Sequence, residues 1–202
     1  MTARDLKQQF YDAPATFQKI HFSMDRDSFN TGRVCYALDP NLTIEETIPI
    51  WGRFYPMLKR VGGPWGWDKR PKYLQEKRDE IEARLAEPDT RLFYLNADGQ
   101  TVGYCLVTAY RHDLRHAFNS ASHNLSRDQI CEIENVGLFP EHTGKGYGRT
   151  FLPLIFEELL KDHEIVYLST RSTNHAGVVP FYQRLGMRVT DIENRLNDLV
   201  LV

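Results

Sequence analysis

Residues His142 to Arg149 place glycine at three alternate positions, Gly144, Gly146 and Gly148. The run follows an apolar, strand-like stretch ending at Leu138 and precedes Phe151, Leu154, Ile155 and Leu159, which fall at helical spacing. Glycines let the main chain turn tightly and present successive N–H groups, and the N-terminus of the following helix adds partial positive charge. A strand–loop–helix unit of this kind belongs to a chain that mixes α and β structure, and its loop cradles a phosphate-bearing ligand.

The spacing separates this loop from the better-known phosphate loops. The pattern G-x-x-x-x-G-K-[ST] would need glycine at 139 and Ser or Thr at 146, where Phe139 and Gly146 stand. The dinucleotide pattern G-x-G-x-x-G would need glycine at 149, where Arg149 stands, and it belongs at the first strand-to-helix turn of a domain. Thr143-Gly144-Lys145-Gly146-Tyr147-Gly148 instead resembles the pyrophosphate loop of the GNAT superfamily of N-acetyltransferases, Gln/Arg-x-x-Gly-x-Gly/Ala. Val136 to Glu141 resembles that family's strand exit. Asn174-His175-Ala176-Gly177 and Phe181 to Met187 resemble its late signature. The resemblance covers about residues 33 to 190 and departs at Thr143, where the family carries a long polar side chain. Lys145 and Arg149 then become the candidates for pairing with phosphate charge, and the grip on the cofactor is expected to be modest.

A chain of 202 residues can bury one core. The reading is a single domain, a tail over residues 1–16 followed by an N-acetyltransferase domain over 17–202. A net charge of −2 and the lack of a dense Lys/Arg cluster make nucleic acid an unexpected partner. No stretch approaches the ~18 apolar residues of a membrane span, and no leader pattern opens the chain. Cys35, Cys105 and Cys131 lack C-x-x-C spacing and sit in strand-like stretches, so buried reduced thiols and a cytoplasmic location are expected.

Alternation marks strands at residues 17–24, with Ile20, Phe22 and Met24 opposite Lys19, His21 and Ser23, and again at Val34, Tyr36 and Leu38. Thr43-Ile44-Glu45-Glu46 fits a capping box, which predicts a helix through Ile48, Trp51, Tyr55 and Leu58, kinked at Pro49 and ended by Gly62-Gly63-Pro64. A second helix is predicted over 71–86 and a hairpin over 91–110 around Asn96-Ala97-Asp98-Gly99. A polar insertion over 111–128, a strand over 130–138, a helix after the glycine loop, a strand over 165–170, a helix over 176–185 and two terminal strands complete the order. It matches the mixed, mainly antiparallel sheet flanked by helices of the resembled fold, an α/β (α+β) class.

Transfer of an acetyl group to an amine poses two proton problems. With a free-amine pKa near ~10.4, under about 0.1 % is neutral at pH 7, a deficit of roughly 4–5 kcal/mol that a carboxylate near the acceptor can offset. Glu132 and Glu134 lie two apart on the strand entering the loop and so project from one face. The resemblance places the general base at Glu132, with Glu134 the alternative. A departing thiolate needs a proton, and Tyr182 matches the family tyrosine that supplies it. Asn174 or His175 is the candidate contact for the pantetheine arm. The backbone of Val136 and Leu138 is expected to pair with its amides.

Trp65, Trp67 and Asp68 lie in a Gly/Pro-rich loop that the resemblance puts at the acceptor pocket. His112, His116 and His123 lack a second histidine or cysteine set, so no metal is expected, and they are read as lining the acceptor mouth. The resemblance implies acetyl-CoA as co-substrate and direct attack by a primary amine of a small molecule or peptide. Terminal strands of this fold can also pair between subunits, as a homodimer. The competing reading is a non-catalytic acyl-CoA-binding module.

Overall fold

The computed structural model describes residues 16–31, 41–62, 71–117, 125–171 and 177–196. Strand β1 (Thr16–Asp25) leads into a short helix α1 (Arg26–Thr31), and β2 (Leu42–Thr47) precedes α2 (Trp51–Gly62) and α3 (Pro71–Leu85). The hairpin β3 (Arg91–Ala97) and β4 (Gln100–Ala109) follows, then β5 (Ile130–Leu138), α4 (Gly148–Leu159), β6 (Ile165–Arg171), α5 (Val178–Arg184) and β7 (Arg188–Leu196). The hairpin turns at Asp98 and Gly99, both with positive φ (50° and 74°), the geometry that matches strand twist and that an Asp-Gly pair supplies.

The seven strands form one sheet in the order β2-β3-β4-β5-β6-β1-β7. Every pair is antiparallel except β5 with β6, which α4 joins as a crossover. One sheet face carries Phe22, Met24, Phe93, Cys105, Cys131, Ile133 and Leu168, covered by Phe151, Ile155, Phe156 and Leu159 of α4. On the other face, Phe54 and Leu58 of α2 and Leu85 of α3 pack over Leu92, Tyr104 and Leu106. Farther along, Ile130, Tyr110 and Tyr167 form a third cluster with Ala117. Because β1 is interior, His21 and Ser23 on its polar side are buried as well, at 0 % and 4 % exposure.

Two expectations are corrected. Residues 42–47 form an edge strand, not a helical N-terminus: Thr43, Ile44 and Thr47 are β-branched, and β2 pairs with β3 while Arg91 donates two hydrogen bonds to Glu46 (2.9 and 2.7 Å). Pro49 therefore lies in the link before α2 rather than kinking it, and the proline inside that helix is Pro56. Pro153 sits within α4 without ending it. The terminal region contains one described strand, β7; the expected strand around 34–38 lies outside the described residues, as does the chain beyond 196.

Candidate active site

The site grows from the parallel pair. β5 and β6 are hydrogen-bonded only from Ile130↔Ile165 to Ile133↔Leu168, although β5 continues to Leu138 and β6 to Arg171. Beyond that point the β6-facing edge of Glu134–Leu138 has no strand partner among the described residues. On its other side β5 pairs with β4, where the register steps from Leu106↔Asn135 to Val107↔Ile133 and leaves Glu134 as a bulge. A bulge at the mouth of a parting strand pair re-aims side chains toward the opening. The open edge, with Val136 and Leu138, offers unpaired main-chain groups of the kind an extended amide chain can pair with.

At the end of β5, Phe139 donates to the carbonyl of Val102 (2.8 Å) and a short turn over Pro140–His142 leads into the glycine loop. Thr143 Oγ1 donates to the carbonyl of Pro140 (2.8 Å), so this short side chain braces the loop that a longer one would. Gly144 and Gly146 hold φ of 76° and 86°, and a Cβ at either would meet nothing within 4 Å: the glycines serve backbone conformation, not close packing. Gly148 opens α4 against α5, where a Cβ would stand 3.2 Å from Phe181 Cζ. Among the described residues the amides of Gly144, Lys145, Gly146, Tyr147 and Gly148 donate to no backbone carbonyl, and the first returning bond is Arg149 N–H to Gly146 (3.0 Å). Lys145 and Arg149 are exposed and join no ion pair among the described residues. Five open amides and two uncommitted cations at a helix start suit a pyrophosphate.

Glu132 is nearly buried, 12 % exposed at the side chain, and its Oε1 lies 3.0 Å from His112 Nε2. Glu134 shares its face: Thr108, the register partner of Glu132, hydrogen-bonds the Glu134 carboxylate, which also accepts from Arg84 Nη1 of α3. Burial holds the Glu134 carboxyl above its ordinary range; Arg84 opposes the shift and Glu132 adds to it. The phenol of Tyr182 on α5 packs against Phe22 (5.3 Å between ring centroids) on the α4 side of the sheet. Burial, reinforced by the Cys105 thiol, pushes its ionisation up to about 12. Cys105 is the register partner of Val136, which ties Tyr182 to the open stretch of β5.

Glu132, Glu134, Val136 and Leu138 lie along β5 and the loop 143–149 follows directly on it, while Tyr182 of α5 packs on the α4 side of the sheet. Asn174, His175, Trp65, Trp67, Asp68 and His123 lie outside the described residues. His112 reaches Glu132, whereas His116 turns toward β7, its Nδ1 lying 2.7 Å from Asp191 Oδ2. Arg84 and Tyr167 are site neighbours that the sequence does not announce. Arg84 reads as an ordinary helical cation, and Tyr167 as one more residue in an apolar strand; only the register Glu132↔Tyr167 puts the tyrosine beside the carboxylate.

The family model for the GNAT acetyltransferases matches residues 51–187. The chain belongs to the GNAT acetyltransferase family. The matched region contains the bulged strand, the glycine loop and Tyr182. No curated protein sequence matches this GNAT chain. Among solved structures it is similar to a GCN5-related N-acetyltransferase from Kribbella flavida (14 % identity, TM-score 0.53, covering 90 % of this chain and 58 % of that one). It is also similar to one from Sphaerobacter thermophilus (17 %, 0.53, covering 96 % and 55 %). A tandem GNAT protein from the clavulanic acid biosynthesis pathway is similar too (13 %, 0.53, covering 91 % and 54 %). The chain thus spans little more than half the length of these structures, and at such identities they speak for the fold. Among the described residues no helix is long and apolar enough to cross a membrane.

Proposed function

We propose that this GNAT protein is an N-acetyltransferase that moves an acetyl group from acetyl-CoA to a primary amine of a small molecule or peptide in the cytoplasm. The observation that carries the reading is the arrangement along one strand: a nearly buried carboxylate at Glu132, an unpaired edge at 134–138, and open amides at 144–148. These residues fit the co-substrate. The loop amides with Lys145 and Arg149 would hold its pyrophosphate, and the edge at Val136 and Leu138 would hold its pantetheine arm.

Acetyl-CoA supplies the activated acetyl thioester. Glu132 accepts the proton that the amine must shed, and His112 orients the carboxylate from 3.0 Å. Tyr182 Oη, with its ionisation at about 12, stays protonated at neutral pH and holds a proton for the departing sulfur. Transfer is direct. Burial pushes the Cys131 thiol up to about 12 and the Cys105 thiol upward too, so neither is a thiolate nucleophile that could carry the acetyl group.

The deciding experiment is thiol release from acetyl-CoA across a diverse amine library, with mass spectrometry of the acceptor. Amine-dependent release with an N-acetyl product supports the reading. Calorimetric binding of acetyl-CoA without transfer or hydrolysis to any amine supports the binding module instead.

A further inference from the structure

Beyond the Glu132 pair, three elements remote in sequence bring ligating atoms to one buried point. His21 on β1, His116 in the turn Leu114–His116 and Glu193 on β7 each place one such atom within 4.8 Å of the others. The Glu193 carboxylate spans both rings, Oε2 at 3.4 Å from His21 Nε2 and Oε1 at 3.3 Å from His116 Nε2. The rings stack (4.3 Å between centroids, 16° apart). His21 is fully buried and His116 is 5 % exposed.

Two further observations point to a ligand. His21 Nε2 is sealed from water and has no hydrogen-bond partner, a condition that is destabilising in a folded protein unless something fills it. The opposite nitrogens are both committed: His21 Nδ1 lies 2.5 Å from Tyr167 Oη, and His116 Nδ1 lies 2.7 Å from Asp191 Oδ2. Asp191 accepts, so His116 Nδ1 carries the proton of that bond, and Nε2 is the nitrogen left toward Glu193. An imidazole held by a carboxylate at one nitrogen, with its other nitrogen beside further ligating atoms, is the outer-shell pattern of metal-bound histidine.

We propose that His21, His116 and Glu193 bind a divalent transition-metal ion of the zinc class, which ties the turn after β4 to β1 and β7. Two imidazoles and a carboxylate are borderline N/O donors that favour zinc over magnesium or calcium, and they leave a fourth position for water. Drawing the three atoms in to the ~3.3 Å edges of a tetrahedron with ~2.0–2.1 Å bonds takes at most about 1.5 Å of side-chain movement. Arg115, whose Nη2 is 3.8 Å from Glu193 Oε1, is 68 % exposed at its side chain and also pairs with the exposed Asp113 (3.6 Å). The site adjoins the Glu132 pair without sharing a ligand with it: the His112 ring meets His21 and His116 edge-on, at 6.4 and 6.5 Å between centroids. Its ligands stand at positions 21, 116 and 193, which hides the set from any spacing rule.

The test is titration of the chelator-dialysed full chain with zinc chloride, followed by calorimetry and thermal melts. One equivalent bound with a rise in Tm is expected, weakened at least tenfold in Glu193→Gln and in His116→Gln but kept in His112→Gln. Glu193→Gln, on a partly exposed residue, decides the matter if His116→Gln does not fold. Absence of saturable binding, or binding that Glu193→Gln leaves unchanged, or loss in His112→Gln alone, overturns the proposal; the cluster then only ties His116 to Asp191 and Glu193.

Discussion

His112 Nε2 and Glu132 Oε1 lie 3.0 Å apart, joining the first residues after β4 to the middle of β5. The imidazole is about one-third exposed and the carboxylate only 12 %, so the pair runs from solvent into the sheet. Such a pair can pass a proton from a buried acceptor amine toward water while keeping the carboxylate oriented.

Replacing Glu132 by Gln keeps size and hydrogen bonding but removes proton acceptance. kcat is expected to fall about 10²–10⁴-fold with KM for acetyl-CoA little changed, and the acidic limb of the kcat/KM profile should flatten. His112→Gln should produce a smaller loss, about tenfold, and should move that limb rather than abolish it. Steady-state kinetics from pH 5 to 9 check both, and equal activity in the two variants and wild type would remove the assignment.

Tyr182→Phe is expected to lower kcat by about 10²-fold while calorimetric affinity for acetyl-CoA stays within a factor of two or so, because the hydroxyl acts on the leaving sulfur and not in binding. With ionisation at about 12, the wild-type phenol contributes no decline in rate up to about pH 10, near where an ordinary tyrosine loses its proton. A basic limb below about pH 10 that disappears in the Phe variant would contradict the burial argument.

Gly103 and Gly52 should respond to alanine with opposite signs. A Cβ at Gly103 would stand 2.4 Å from the carbonyl oxygen of Gly137, and neither backbone can give way without opening the β4–β5 pairing beside the cleft. Gly103→Ala should lose about 1–3 kcal/mol in urea unfolding. Gly52, in the first turn of α2, has nothing within 4 Å of its Cβ position, so Gly52→Ala should gain about 0.4–1 kcal/mol through helix propensity and a restricted unfolded chain.

Elements set by local pattern were legible in the sequence. The 91–110 hairpin follows from alternation around Asp98-Gly99, and β5, α4 and the glycine loop follow from apolar periodicity and glycine spacing. Where the deciding contacts are remote, the pattern misleads. Thr43 to Glu46 satisfies a capping box, yet pairing with β3 and the Arg91 bonds to Glu46 make it strand. The alternation on β1 separates Lys19, His21 and Ser23 from the apolar side, but β6 and β7 flank the strand and His21 meets Tyr167, 146 positions away. The two glutamates and Tyr182 could be singled out by family resemblance, whereas their partners, His112 at Glu132 and Arg84 at Glu134, emerge only from packing.

Glu134 gives a prediction whose sign separates it from Glu132. Its carboxyl is held above the ordinary range, chiefly by burial, with Arg84 opposing. A carboxyl whose folded pKa is raised contributes stability that is fully present below its unfolded value, near 4.5, and lost as pH rises through the folded value. Wild-type unfolding free energy should therefore carry a declining contribution from this residue as pH rises from about 4.5 toward neutrality. Glu134→Gln retains a carbonyl oxygen for Arg84 and Thr108 without the charge, so the variant should gain stability relative to wild type across that window. Urea unfolding of both proteins at intervals from pH 4 to 8 measures the difference; a gap that shrinks or reverses with rising pH would show that Arg84 outweighs burial. Acetyl transfer by the same variant should remain within a few-fold of wild type, because the proposed base is Glu132 and the Glu134 carboxylate is already occupied by Arg84 and Thr108.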